Sequence, residues 1–167
     1  ADAYLDTIEQ EILNYIPMMK EGREVQQLHF GGGTPNFLSP KQIDRFSAFL
    51  HQHFNFSSDA EMSAELDPRR LTEAHINSFQ QLGINRVSFG VQDVQESTQK
   101  AVNRVQSDEQ NTNAITWAKA AGMDSLNLDL IYGLPYQTPE SIRKTVQQVL
   151  KYDPDRLAVF SYAHVPW

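Results

Sequence analysis

The sequence predicts an α/β domain whose strands run parallel, alternate with helices and curve into a barrel. Strand-like and helix-like segments alternate along all 167 residues, which is typical of repeated strand–helix–strand units. The glycine-rich turn at 31–33 is followed by Thr34, Pro35 and further loop residues before the next helix. An open, doubly wound nucleotide-binding sheet would place its glycines directly before a helix, so the barrel is favoured over that alternative.

The helices are predicted from apolar spacing and from capping signals. The first is amphipathic and carries apolar residues at helical spacing, namely Leu5, Ile8, Ile12 and Ile16. Another carries Leu71, Ile76, Phe79 and Leu82 and ends at Gly83. Capping boxes begin two more, at Ser39 with Gln42 and at Ser107 with Gln110. The last predicted helix begins at Thr138 and Pro139.

The predicted strands cover residues 25–30, 61–66, 86–91, 125–132 and 157–162. Their residues alternate in polarity, and one face is polar throughout: His29, Ser63, Glu65, Ser88, Gln92, Asn127 and Asp129. Helices must cover the apolar face, so the polar face is predicted to line the lumen of the barrel. An antiparallel sheet with one face in water would give the same alternation, but the intervening helices oppose it.

A polar lumen predicts a polar ligand, because buried carboxylates and amides are costly unless they are hydrogen-bonded. Glu65 and Asp129 would serve either as an acid–base pair or as acceptors for an ammonium group and sugar hydroxyls. Salt bridges to Arg69, Arg86 or Arg104 are the structural alternative. Gln92 offers a donor and an acceptor together, and Arg104 would suit a carboxylate.

Composition excludes several classes of function. The formal net charge is −7 and no basic stripe occurs, which argues against a nucleic-acid partner. No apolar run reaches the roughly 18 residues of a membrane span, and the start lacks a signal-peptide pattern. Without Cys, the chain has no disulfide and no thiolate metal ligand. His29 and His164 both end strands, where together they would offer a metal site. A structural, hydrogen-bonded role is nevertheless the commoner one for a buried His.

The motifs at the strand ends together resemble one family. They are residues 28–35 (LHFGGGTP), 65–69 (ELDPR), 90–93 (GVQD), 102–104 (VNR), 129–140 (DLIYGLPYQTPE) and 162–166 (YAHVP). As a set they are specific, and they extend over nearly the whole chain. The sequence resembles the oxygen-independent coproporphyrinogen III oxidases, which are radical S-adenosylmethionine (SAM) enzymes.

The resemblance implies a fold and a binding site. Residues 1–167 would form a single domain, a partial (β/α)6 TIM-like barrel that holds strands two to six of the radical SAM core. Gly32, Gly33 and Thr34 would contact the methionine end of SAM. The amino, carboxylate and ribose groups of SAM would be bound by Glu65, Gln92, Arg104 and Asp129, and the adenine by the backbone of Ala163.

The resemblance also implies a reaction. In the family, a reduced [4Fe-4S] cluster cleaves SAM to a 5′-deoxyadenosyl radical. The radical takes hydrogen from the propionates of coproporphyrinogen III, which lose CO₂ and become vinyl groups. A reductant such as flavodoxin or ferredoxin, a monomeric state and a cytoplasmic location would follow, with no nucleic-acid or membrane partner.

One departure from the family pattern affects the expected activity. The family holds its cluster with a CxxxCxxC loop after the first barrel strand, and this chain has no Cys. Because the chain opens on Ala1 without Met and stops at Trp167 after a strand-like run, we expect it to be truncated at both ends. The missing strand and loop would precede Ala1, a C-terminal domain would follow Trp167, and the chain alone would be inactive.

Two other functions stay open from the sequence. A haem-binding chaperone related to the oxidases shares the barrel and the GGGTP motif, although residues 67–69, 92–93 and 162–164 resemble the oxidases better. A phosphate-sugar barrel enzyme would need a phosphate-binding glycine loop after its late strands. The chain has Gly133, Leu134 and Pro135 there instead.

Overall fold

The computed structural model describes residues 1–19 and 24–163. Within these ranges the helices are α1 (Asp2–Tyr15), α2 (Pro40–His53), α3 (Glu73–Leu82), α4 (Glu96–Ala101), α5 (Asp108–Ala120) and α6 (Pro139–Leu150). The strands are β1 (Glu24–Phe30), β2 (Asn55–Leu66), β3 (Arg86–Gln92), β4 (Ser125–Tyr132) and β5 (Arg156–Ser161). In the same ranges, no helix is long and apolar enough to cross a membrane. His164, considered above as a metal ligand, and the end of the YAHVP motif lie outside them.

The described strands form one parallel sheet in the order β1-β2-β3-β4-β5. Crossovers between parallel strands are nearly always right-handed, so a strand order without reversal places every connecting helix on the same face. A doubly wound sheet would instead reverse its strand order and carry helices on both faces. The fold prediction of a partial, TIM-like barrel is therefore confirmed, and the antiparallel alternative is wrong.

The core lies between the sheet and its helices. Every second residue of β3, of β4 and of the second half of β2 is buried and apolar: Met62, Ala64, Leu66, Val87, Phe89, Val91, Leu126, Leu128 and Leu130. Phe79 of α3 is fully buried against this layer, and its ring meets that of Phe30 edge-on at a centroid distance of 6.0 Å. The capping boxes at Ser39 and Ser107 form as predicted.

The structure corrects three details of the prediction. β2 begins at Asn55 and not at residue 61, because a register shift opposite Val25 and Gln27 accommodates polar residues that are weak strand formers. Helix α4 was not predicted, since residues 96–101 (ESTQKA) have no apolar periodicity. Leu71 precedes α3 and does not belong to it, because Thr72 caps the helix.

Polar residues just before β3 and β5 extend the strand pairing with their side chains. The Asn85 amide accepts from the Met62 N–H at 3.0 Å and donates to the Ala60 carbonyl at 3.0 Å. The Asp155 carboxylate accepts from the Leu126 N–H at 2.8 Å. Each side chain satisfies backbone groups of the neighbouring strand at a point where its own strand has not yet begun.

We expect Asn85→Ala to lower the free energy of unfolding by about 1–3 kcal/mol, because it leaves two backbone groups of β2 without partners. Asn77→Ala is the matched control, since Asn77 is an exposed residue of α3. Urea denaturation of both variants measures the difference. Equal urea midpoints for the two variants would show that water satisfies the Met62 N–H and the Ala60 carbonyl as well as the Asn85 amide does.

Candidate functional site

The polar face of the sheet lines a cleft of about 410 Å³ inside the curve of the strands. Its walls carry His29, Ser63, Glu65, Ser88, Asn127 and Asp129, and also Glu61 of β2 and the first residues of β3 and β5, Arg86 and Arg156. Register explains the convergence, because Glu65 is paired with Ser88, and Ser88 with Asn127, across neighbouring strands. Side chains of equal parity on adjacent parallel strands point the same way.

Asp129 is held at the centre of this cleft by neutral donors. Ser88 Oγ donates to its carboxylate at 3.0 Å, and Asn127 Nδ2 donates to Oδ1 at 2.7 Å. Burial raises the pKa of Asp129, these hydrogen bonds oppose the rise, and the nearby charge of Glu65 adds to it. The raised pKa means that the negative charge is only partly compensated, so a cationic or hydroxyl ligand would be favoured here.

Glu65 lies beside His29 at the end of β2. His29 Nε2 is 3.5 Å from Glu65 Oε1, and His29 Nδ1 is 2.8 Å from Ser63 Oγ. The Glu65 side chain stays half exposed, so it can still accept a hydrogen bond from a ligand. Gly31 fits closely against this pair, because a Cβ atom at that position would lie only 2.5 Å from His29 Nε2.

The arginines that would have formed structural salt bridges have other partners. Arg69 Nη2 is 2.6 Å from the carboxylate of Asp67, and Arg86 pairs with Glu61. In the part of the chain that the structure describes, neither forms an ion pair or a hydrogen bond with Glu65 or Asp129. These pairs leave both lumen carboxylates available to a ligand, and the structural alternative of a salt bridge to Arg69 or Arg86 is wrong.

Arg104 joins the ends of two strands. Its Nη1 lies 3.4 Å from Asp67 Oδ2, and its Nη2 donates to the Gly90 carbonyl at 2.9 Å. Burial lowers the pKa of Arg104, while the charge of Asp67 acts in the opposite direction. Arg104 acts on Asp129 through its charge only, without a hydrogen bond between them among the described contacts.

Three buried polar atoms close to Gly90 have no partner within the described residues. One is Gln106 Oε1, and the other two are Gln92 Oε1 and Arg104 Nε. The Gln92 and Arg104 side chains crowd the space above Gly90, where a Cβ atom would lie 2.8 Å from Gln92 Nε2 and 3.0 Å from Arg104 Nη2. An unsatisfied buried group costs about 1–3 kcal/mol, so the Gln92 acceptor and the Arg104 donor indicate a polar ligand. Gln92 adjoins the cleft without lining it.

Gln92 has a strained backbone. Its φ is +65°, and the Asp93 N–H donates to the Val91 carbonyl across it at 2.9 Å, which together give a γ-turn of the rare positive-φ kind. A non-glycine residue in such a conformation costs about 1–3 kcal/mol. The turn falls within the GVQD motif, but the residue types of that motif do not predict a positive φ at Gln92.

The glycine loop after β1 is open and anchored at one end. Gly32, Gly33 and Thr34 are exposed, and a Cβ atom at either glycine would meet no atom within 4 Å. The following Asn36 is buried and exchanges two hydrogen bonds of 2.9 Å with the backbone of Asp67. Asn36 fixes the loop to the end of β2, and it was not among the residues predicted from the sequence.

Ala163 is exposed just beyond the end of β5. Over residues 1–19 and 24–163, no group of three or more His, Cys, Asp or Glu side chains is arranged to hold a metal ion. The chain has no Cys, so it contributes no thiolate to an iron–sulfur cluster.

A comparison with protein families finds a match to the radical SAM superfamily over residues 3–149. The chain belongs to the radical SAM superfamily. This superfamily uses SAM together with a [4Fe-4S] cluster, and the two cofactors fit this chain differently. The free acceptors of Glu65, Asp129 and Gln92 suit the ammonium and hydroxyl groups of SAM, whereas the cluster has no ligand here.

Within the superfamily, coproporphyrinogen III oxidases are similar to this chain in sequence, and one of them has a solved structure. The oxygen-independent coproporphyrinogen III oxidase of Helicobacter pylori strain J99 is 48% identical over 98% of this chain. The chain spans 36% of the length of that relative. The solved coproporphyrinogen III oxidase of Escherichia coli, itself described as a radical SAM enzyme, superposes with a TM-score of 0.94 at 47% identity, covering 99% of this chain and 38% of that one.

A more distant structure supports the fold alone. The radical SAM methyltransferase TsrM of Kitasatospora setae has a TM-score of 0.74 at 12% identity, covering 96% of this chain and 31% of its own. The strand order and helix placement of this chain are therefore those of the superfamily and are not peculiar to the oxidases.

Asp129→Asn should stabilise the ligand-free protein at neutral pH. Because burial holds the pKa of Asp129 above its ordinary 3.8, the folded state loses stability as the pH rises through the folded pKa. A neutral amide removes that penalty, so the gain should be largest at neutral pH and should vanish as the pH falls to about 4.

Thermal unfolding across this pH range measures the effect, with exposed Asp44→Asn on α2 as the control. A destabilised Asp129→Asn protein at neutral pH would contradict the prediction. That result would show that the hydrogen bonds from Ser88 and Asn127 outweigh the burial of the charge.

Proposed function

We propose that this chain is the SAM-binding part of an enzyme that converts coproporphyrinogen III to protoporphyrinogen IX by oxygen-independent oxidative decarboxylation. The observation that carries the proposal is the set of polar groups left free at the carboxyl ends of β2, β3 and β4. It occurs in a chain 48% identical to a named oxidase of this reaction. Active sites of barrels of this kind lie at that end of the strands.

In the proposed complex, the ends of different strands contact different parts of SAM. The bare backbone of Gly32 and Gly33, with Thr34, receives the methionine end, because no side chain obstructs it. The carboxylates of Glu65 and Asp129 accept from the amino group and the ribose hydroxyls. Ala163, beyond β5, contributes its backbone to the adenine.

Gln92 and Arg104 complete the proposed contacts beside Gly90. Gln92 Oε1 and Arg104 Nε are two of the buried side-chain atoms that have no hydrogen-bond partner within the described residues. The amide accepts from a hydroxyl or amino group of SAM. The guanidinium donates to the carboxylate through Nε and remains attached to Asp67 and Gly90 through its other nitrogens.

The radical chemistry belongs to the cofactors, which supply it when both are bound. This chain orients SAM, and its polar lumen shelters the reacting groups from bulk water. The thiolates of the cluster must come from residues other than these 167. We therefore expect the isolated chain, a single partial barrel domain, to bind SAM weakly and to lack activity.

Further features of the proposed enzyme follow the resemblance. They are a reductant such as flavodoxin or ferredoxin, a monomeric state and a cytoplasmic location. The acidic balance of the chain, a formal net charge of −7, supports the absence of a nucleic-acid partner.

Asp129→Ala and Gln92→Ala should each weaken SAM binding by about 1–3 kcal/mol, which is the typical cost of leaving a buried polar group of the complex unpaired. Isothermal titration calorimetry on the full-length protein measures the affinities. Asp44→Ala and Gln81→Ala, both exposed on the outer helices, are matched controls with expected wild-type affinity. Unchanged affinity in both lumen variants would discard the site assignment.

Anaerobic reconstitution of the full-length protein tests the reaction itself. We expect brown cluster absorbance, SAM cleavage under reductant, and decarboxylation of coproporphyrinogen III in parallel with it. A protein that leaves coproporphyrinogen III untouched while it binds haem tightly would contradict the oxidase and support the chaperone. A full-length sequence without a cysteine triad would contradict any radical SAM activity.

A further inference from the structure

Asp93 forms a buried hydrogen-bonded cluster that the proposed SAM contacts do not use. Its side chain is 1% exposed. Oδ1 accepts from the Gln95 N–H at 2.7 Å and from Thr145 Oγ1 at 2.9 Å. Oδ2 accepts from Gln137 Nε2. A buried carboxylate with three donors is fixed in orientation, because each oxygen is held by at least one bond.

Gln137 extends the cluster to the loop after β4. Its Oε1 accepts from the Gly133 N–H at 2.8 Å and the Leu134 N–H at 3.2 Å, and its Nε2 also donates to the Ile131 carbonyl at 2.8 Å. We call Asp93, Thr145 and Gln137 the Asp93 clasp. It joins the end of β3 to the loop after β4 and to helix α6.

The clasp lies next to the strained turn at Gln92. On one side of the turn, Val91 is 2% exposed in the core. On the other side, Asp93 is fixed by the clasp, and its carbonyl also accepts from Gln99 Nε2 at 2.8 Å. A backbone conformation of this kind persists only when its surroundings determine it. With both neighbours fixed, Gln92 keeps its positive φ.

We propose that the Asp93 clasp is a positioning device that holds the Gln92 side chain in place for SAM. This inference rests on the proposed function, in which Gln92 Oε1 accepts from SAM. Asp93, Thr145 and Gln137 are positioning residues that act through Gln92. The clasp raises the affinity for SAM, because a Gln92 side chain that is already held in its binding position loses less conformational entropy when SAM binds.

Thr145→Val tests the clasp with a nearly isosteric change that removes one donor to Asp93. Thr98→Val is the matched control, because both threonines are 0% exposed but Thr98 Oγ1 has no hydrogen-bond partner among the described residues. Calorimetry with SAM on the full-length protein, well below its unfolding temperature, should show about five- to tenfold weaker binding for Thr145→Val, as for the loss of one hydrogen bond. Thr98→Val should bind like the wild type.

A double-mutant cycle separates positioning from general stability. In a Gln92→Ala background, Thr145→Val should weaken SAM binding no further, because its effect passes through the Gln92 side chain. An equal loss in both backgrounds would overturn the inference. If Thr145→Val folds poorly, Gln137→Met removes the other side-chain donor and enters the same cycle with the same expected result.

The outcomes distinguish this inference from the proposed function. If Gln92→Ala weakens SAM binding while Thr145→Val and Gln137→Met do not, the SAM site stands and the clasp is only structural. If Gln92→Ala itself leaves the affinity unchanged, Gln92 is not a SAM contact, and both the assignment and the inference built on it are overturned.

Discussion

Successive side chains of a β-strand point in opposite directions, so the sheet has two faces. In this domain the two faces require side chains of opposite polarity. One face must be apolar to bury the helices, and the other must be polar to receive a charged ligand. In the central strands every second residue is buried and apolar, while the residues between them are half-buried and mostly polar. A shift of one residue in any strand would exchange the two faces, so the lumen and the core depend on the same register.

Several residues in and beside the lumen have features that lower the stability of the ligand-free protein. Asp129 has a raised pKa because its carboxylate is buried, although the hydrogen bonds from Ser88 and Asn127 oppose the rise. Gln92 has a positive φ, and Gln92 and Arg104 hold polar atoms without partners within the described residues. Each feature costs stability in the free protein, and a ligand that hydrogen-bonds to the unpaired atoms would recover part of that cost. The strained turn at Gln92 and the unpaired atoms beside Gly90 lie near the carboxyl ends of the strands, while alternate residues of the central strands pack into the apolar core.

Much of this arrangement can be predicted from the sequence, because parity and capping are local properties. The bounds of β4 and the capping boxes at Ser39 and Ser107 follow from patterns within a few residues. The bulged start of β2, the short helix α4 and the turn at Gln92 do not, since each depends on neighbours distant in sequence. The partners of Arg69, Arg86 and Asp93 could not be predicted for the same reason, as several donors compete for each carboxylate.

The contact between Gly31 and His29 has a consequence for how this sequence can change over time. The imidazole occupies the space that any side chain at residue 31 would need, with only 2.5 Å to a Cβ atom placed there. A side chain at residue 31 therefore requires His29 to move aside or to be replaced by a smaller residue. Either change alters the neighbour of Glu65. A change at position 31 is thus coupled to position 29, and through position 29 to the surroundings of Glu65.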